Sequence, residues 1–423
     1  MSADVKALRI LHTSDWHIGR TLYGKARLEE FEKFLSWLSD TIESEEVEAL
    51  IVAGDIFDSS APGSRAQELY YKFLWRISQS KTCRHAVFIA GNHDSPTLLN
   101  APKDILRYLN VYVIGSADGS LEDHVIVLKD KEGEPELIVC AAPYLRDRDM
   151  RTAEAGESFA DKERKLAEGI RAHYKTLCTA AEEKRHEYGL QIPIVATGHL
   201  FTAGGVTIEG DGVRELYIGS LARIATDIFP ECIDYLALGH LHSSQTAGAS
   251  EKMRYSGSPL PMSFSDAAQK KSVCIIDFAE AGQPPAVRLL NVPVFQPLER
   301  ISGDWEIVST RLKELRETES SAWLEIICSG IESPEALMER IENATEGSAL
   351  TVINVRKSAS AEAALSQMRE NESLDDLSPD DVFKRLLDAE ESPDDLRQTL
   401  APAFAEVLRT VHEKDKSTEQ TIL

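Results

Sequence analysis

Short apolar runs rich in β-branched residues recur through the first two-thirds of the chain, and each stops at a polar turn, which in four of the six contains glycine. ALRILHTSD, VEALIVAGD, AVFIAGNHD, LIVCAAPY, IPIVATGH and IDYLALGH all have this form. Between them, LEEFEKFLSWLSDTIESE and ADKERKLAEGIRAHYKTLCTAAEEKRHEYG carry apolar positions at helical spacing. MRYSGSPLPMSF and KSVCIIDFAE read as later strands that close a second sheet. Residues 1–280 are therefore expected to form an α/β domain. It should have two facing mixed β-sheets with helices outside and its chemistry in loops at the strands' carboxyl ends.

AEAGQPPAV, at 279–287, interrupts the pattern and marks a boundary. Beyond it the order strand, helix, strand, helix, strand predicts a small α+β module over 288–357. A Ser/Ala/Glu-rich linker over 358–377 follows. In the tail, 378–415, Ser378-Pro379-Asp380-Asp381 and Ser392-Pro393-Asp394-Asp395 are helix starts, each with an N-cap, a first-turn proline and acids on the dipole. The second introduces Leu396, Leu400, Phe404, Val407, Leu408 and Val411, a continuous helical stripe that Pro402 should kink or split. Such a stripe either docks on its own domain or grips another protein's helices, and its place behind an acidic linker suits the second use.

The 423 residues are enough for two or three domains. Neither a signal peptide nor an apolar run of about 20 residues is present, which points to a cytosolic protein. The six cysteines are scattered inside apolar runs and read as reduced core residues. A net charge of −24 argues against nucleic acid, and residues 371–423 alone hold 14 acids against six bases. Any DNA affinity must come from metals, local basic patches or a partner subunit.

Five strand-end segments carry the chemistry: Asp15-Trp16-His17, Gly54-Asp55, Gly91-Asn92-His93-Asp94, Gly198-His199 and Gly239-His240-Leu241-His242. Two residues apart at a strand's end, Asp15 and His17 should point the same way and reach one ion. His240 and His242 repeat that spacing, each taking one of two neighbouring ions. Asp55, turned by Gly54, can bridge the cations, and Asn92 and His199 would complete the set around the second ion. Mixed oxygen and nitrogen ligands without thiolate favour manganese, ahead of magnesium, iron or zinc. This is the ligand set of a two-metal phosphoesterase. His93 is the candidate catalytic residue at the leaving oxygen, with Asp94 orienting it. Asp58 either contacts a metal-held water or closes its turn. Arg20 and Tyr23 are candidate contacts to substrate phosphate or sugar.

TSDWHIGR, GDIFD, GNHD, GH and GHLH resemble the calcineurin-like metallophosphoesterase superfamily. SDWHIGR, APYLRDRDM, ATGHLFTAGG, YIGSL, DYLALGHLH and YSGSPLPMSFSD are similar, within it, to the nuclease subunits of bacterial SbcCD complexes. That resemblance implies manganese-dependent cleavage of DNA, with 3′-to-5′ exonuclease action on double-stranded ends and endonuclease action on single strands and hairpins. It implies a role in DNA repair, replication and recombination at the bacterial nucleoid. It also implies a homodimer bound to SbcC, an SMC-like ATPase that can supply the DNA grip an acidic subunit lacks. In the same way it assigns a capping, DNA-selecting role to 288–357 and SbcC binding to the tail. Dimer contacts fall to the helices near PGSRAQELYYKFLW and SPTLLNAPKDILRYL, which could equally pack on their own sheet. GDIFDSS lacks the arginine of the GDxVDRG segment of protein phosphatases, and Asp58 stands where purple acid phosphatases place tyrosine.

Overall fold

The computed structural model describes residues 8–152, 157–189, 192–202, 205, 225–248, 250–279, 283–329 and 333–357. The predicted linker, both tail helices with Pro402, and YIGSL lie outside the described residues. In chain order the elements begin with β1 (Leu8–Thr13), β2 (Thr21–Leu22), β3 (Lys25–Ala26), α1 (Leu28–Ser44), β4 (Ala49–Ala53), α2 (Ser64–Ser78) and β5 (His85–Ile89). Next come α3 (Pro96–Asn100), α4 (Lys103–Arg107), β6 (Val111–Ile114), α5 (Leu121–His124), β7 (Val125–Lys129), β8 (Pro135–Cys140), α6 (Asp147–Met150) and α7 (Phe159–Tyr188). Then follow β9 (Ile194–His199), β10 (Tyr235–Gly239), β11 (Gln245–Ala247), β12 (Ser250–Tyr255), β13 (Ser272–Phe278) and β14 (Ala286–Asn291).

These strands build two six-stranded mixed sheets, ordered β14-β13-β1-β4-β5-β6 and β11-β12-β10-β9-β8-β7. Alternation along each strand divides the core into three layers. Ile10, Ala49, Ile51, Val87 and Ile89 of the first sheet pack against Val139, Val195 and Ala237 of the second. The intervening Leu50, Val52 and Phe88 turn outward onto Phe34, Leu38 and Phe73 of α1 and α2. Ile194, Ala196 and Leu236 likewise meet Tyr174 and Leu177 of α7. Parallel strands covered on both faces explain why their sequences read as unbroken apolar runs. His12 sits in this interior with Nδ1 2.9 Å from Tyr235 Oη, and burial pushes its pKa down to about 3. All six cysteines are free thiols, five of them buried. No helix among the described residues is long and apolar enough to cross a membrane.

Two expectations change. KSVCIIDF, as β13, joins the first sheet antiparallel to β1 and does not close the second. β14 then pairs with β13, so the Gly/Pro break at 279–287 is a hairpin connection inside the first domain. The chain divides instead at Glu299/Arg300.

The division falls within β15 (Leu298–Gly303), and the second unit continues with α8 (Trp305–Glu317), β16 (Trp323–Cys328), α9 (Pro334–Thr345) and β17 (Thr351–Lys357). Its three strands form one sheet, in which β16 and β17 run parallel. Asp304 and Ser333 cap the two helices by accepting from the Ile307 and Ala336 amides. Ile301, Val308, Leu312, Leu324, Ile326 and Ile341 make its core. Glu325 is fully buried, with its carboxylate held by Arg300, Arg356 and Asn354.

Candidate metal centre

β1, β4 and β5 are parallel neighbours, so their carboxyl ends open on one edge of the first sheet. β9 and β10, also parallel, do the same in the facing sheet. Each of the five predicted segments starts at or just beyond one of these ends. The Asp15 amide donates to Gly54 O and the His17 amide to Asp55 O, both at 2.9 Å, which zips the first two segments together.

Strand alternation is not what aims the ligands. β1 ends at Thr13, and Asp15 (φ 53), His17 (φ 49), Asp55 (φ 51) and His240 (φ 100) all have left-handed backbone. Non-glycine residues seldom adopt it, and such strain concentrates at functional sites. Glycine is required at two neighbouring positions. A Cβ at Gly91 would stand 2.1 Å from Asp55 Oδ1, and one at Gly239 would stand 2.0 Å from Ala53 O.

The side chains fall into two groups around Asp55. In one, His17 Nε2 and His242 Nε2 are 3.1 Å apart beside Asp15, and Asp55 Oδ2 is 3.6 Å from His17 Nε2. In the other, Asn92 Oδ1 is 3.0 Å from His199 Nε2 and 3.1 Å from His240 Nδ1, and Asp55 Oδ2 is 3.3 Å from His199 Nε2. Asp15 accepts the His240 amide at 2.9 Å and the Ser14 hydroxyl at 2.5 Å. Asp55 Oδ1 accepts the His93 amide at 2.9 Å.

The electrostatics of this cluster ask for cations. Burial raises the Asp15 carboxyl to about 6, against the pull of His199. Burial also opposes ionisation of Asp55, but His199 and His17 outweigh it and hold that carboxyl well below the ordinary range. His199 is lowered by burial yet raised more by Asp55, to about 9, whereas burial takes His240 down to about 3. His199 Nδ1 lies 2.8 Å from Ala53 O, which holds one ring proton there; with its pKa raised, Nε2 carries the second proton toward Asp55 and Asn92, the position a bound cation would take over. The donor set, two carboxylates, one amide oxygen and four imidazoles without thiolate, fits hard to borderline divalent ions.

His93 stands beside this cluster, its ring 4.8 Å from that of His17 and edge-on to it. Burial lowers its pKa, with Asp55 opposing. Its predicted partner is wrong. Asp94 accepts the amides of Ile56 (3.1 Å), Phe57 (2.9 Å) and Gly91 (2.9 Å), so both oxygens brace loops. The group that orients His93 is the Asp58 carbonyl, 2.9 Å from Nδ1. Asp58 Oδ1 lies 3.1 Å from Arg20 Nη1 and 3.4 Å from His17 Nδ1. Arg20 also donates from Nε to Met262 O at 3.3 Å. Tyr23 lies on the same loop, 51% exposed and stacked on Phe264.

Sequence reasoning missed the layer behind the ligands. Ser14 Oγ contacts Ser256 Oγ at 2.7 Å, and the Lys271 ammonium donates to His242 O (3.2 Å), Ser258 Oγ (3.1 Å) and Asp266 Oδ2 (2.6 Å). No local pattern marks Lys271, because its partners lie 29, 13 and 5 residues away. The Lys271–Asp266 pair is almost wholly buried. Lys271→Met should therefore cost about 3–5 kcal/mol, the usual cost of stranding one member of a buried pair. Urea unfolding checks this, and an unchanged midpoint would contradict it.

A family model described as calcineurin-like phosphoesterase matches residues 8–243. A second, described as type 5 capsule protein repressor C-terminal domain, matches residues 294–391. The SbcD component of nuclease SbcCD from Escherichia coli (strain K12) is 37% identical over 406 residues, 96% of this chain and 98% of that one. Its namesakes from Rhodobacter capsulatus and Bacillus subtilis are 34% and 33% identical, over 67% and 75% of this chain and 69% and 78% of theirs. The chain belongs to the calcineurin-like phosphoesterases and, within them, to the SbcD family.

Proposed function

We propose that this chain is the nuclease subunit of an SbcCD-type complex. It hydrolyses phosphodiesters with two divalent cations, manganese before magnesium, acting as a 3′-to-5′ exonuclease on double-stranded ends and an endonuclease on single strands and hairpins. The observation that carries the reading is the cluster of two carboxylates, one amide and four imidazoles in which Asp55 adjoins both histidine groups.

Asp15, His17, Asp55 and His242 would hold one ion, and Asp55, Asn92, His199 and His240 the other. Bound there, such ions neutralise phosphoryl oxygens and lower the pKa of an attacking water. The protein's own part is orientation. With its Nδ1 proton on the Asp58 carbonyl, His93 keeps Nε2 for the substrate; protonated there as the imidazolium, the form that burial disfavours and Asp55 supports, it would deliver that proton to the leaving oxygen and regain one from solvent. Arg20, held by Asp58 and Met262, offers its remaining N–H groups to a phosphate.

The same reading gives the α+β unit a role in selecting DNA and the tail a role in binding SbcC. It also proposes a homodimer through α2, α3 and α4. α2 buries Leu69, Tyr70, Phe73 and Leu74 on its own domain while leaving Trp75 65% exposed. Around α4, Ile105 is 68% and Tyr108 90% exposed, side chains of the kind that interfaces bury.

Co-expression with SbcC tests the assignment. The complex with manganese is expected to cut a hairpin-ended duplex, and light scattering of the nuclease chain alone to read two copies. Deleting 378–423 should leave manganese-dependent activity but lose SbcC on purification. Hydrolysis confined to small diesters would sink the nuclease reading, and co-purification of the truncated chain would sink the tail assignment.

A further inference from the structure

The β2–β3 hairpin turns on two residues, Tyr23 and Gly24, flanked by the pair Leu22↔Lys25. Both are left-handed, at φ 46 and φ 80. That is the two-residue turn whose cheapest sequence is Asn-Gly or Asp-Gly. A bulky aromatic residue in the first position is a conformational outlier, and it holds half its surface in solvent. Its ring is stacked on Phe264, centroids 6.0 Å apart and planes 29° apart.

The pair is fastened to the metal centre from both sides. Three residues before Tyr23, Arg20 reaches Asp58, whose carbonyl holds His93. Two residues before Phe264, the Met262 carbonyl accepts from Arg20, and Asp266 pins the segment through the Met262 and Ser263 amides. A strained turn thus presents a planar, half-exposed ring, backed by Phe264 and tied to His93 through Arg20 and Asp58.

We propose that Tyr23, backed by Phe264, stacks against an unpaired DNA base of the strand being cut, which makes the site selective for single-stranded or frayed ends. This rests on the nuclease reading and adds a contact to a base, where the sequence suggested sugar or phosphate. Aromatic platforms recognise unpaired bases in this way because every base offers a π-face, and loss of one such stack lowers affinity about 10-fold.

Single-stranded oligonucleotides carrying one abasic residue at successive positions test the proposal. For the unaltered chain, one abasic position near the scissile bond should lower kcat/KM about 10-fold, chiefly through KM. Tyr23→Asn suits the turn better and should melt no lower. It should cleave the intact strand about 10-fold less efficiently and no longer discriminate the abasic one, whereas Tyr23→Phe should behave as the parent. In EDTA, 2-aminopurine at the sensitive position should be quenched by the parent and Tyr23→Phe, and not by Tyr23→Asn. An abasic penalty equal in the parent and Tyr23→Asn overturns the stack while leaving the nuclease reading intact. A parent chain that cuts no DNA removes both.

Discussion

His93→Ala is expected to lower DNA cleavage by about 10²–10⁴-fold, the usual contribution of a positioned proton donor, with metal content unchanged. The ring is held at Nδ1 by the Asp58 carbonyl, and its own amide is anchored on Asp55 Oδ1. Truncation to alanine keeps that amide and so keeps Asp55 in place. Cleavage of a linear duplex, read beside metal content by elemental analysis, separates the two roles open to this residue. His93 also lies with His17 and Asp58 in a group able to hold an ion. If alanine empties the site of metal, His93 is a ligand and the proton-donor role fails.

The second large effect is expected from Asp55→Asn. Its Oδ2 is the atom common to both histidine groups, so an amide there should abolish high-affinity binding of both ions in calorimetric titration with manganese. The metal-free protein should lose stability as well, by about 3–5 kcal/mol, because His199 is buried and owes its raised pKa to Asp55. Asp94→Asn is the matched control: its three partners are backbone amides, and it should weaken folding without altering metal stoichiometry. Two ions bound by Asp55→Asn would refute the shared-ligand assignment.

Much of the site is legible in the sequence because local rules govern it. A β-branched run ending in metal-ligating side chains recurs five times, four of them with glycine directly before the ligand, and strands buried on both faces cannot hide their hydrophobicity. What is not legible depends on partners remote in the chain. Adjacency makes Asp94 look like the mate of His93, yet its oxygens turn to amides 37 and 38 residues earlier. Nothing in KSVCIIDF names the neighbour of β13, so the pattern alone puts it in the wrong sheet, and a proline-rich hairpin connection disguises its pairing with β14.

The amino-acid order alone settled the reaction class, since ligand type and strand-end spacing are properties of the chain, and it pointed to the family through strings that span the first domain. Only the tertiary structure decided how the ligands are aimed. The turns at Asp15, His17, Asp55 and His240 are left-handed, a conformation their residue types disfavour, and long-range hydrogen bonds such as Asp15 N to Gly54 O hold them there. The same is true of Tyr23, whose sequence marks it only as a loop aromatic. Its significance comes from a backbone strain and a stacking partner 241 positions away in the chain, which no local pattern can encode.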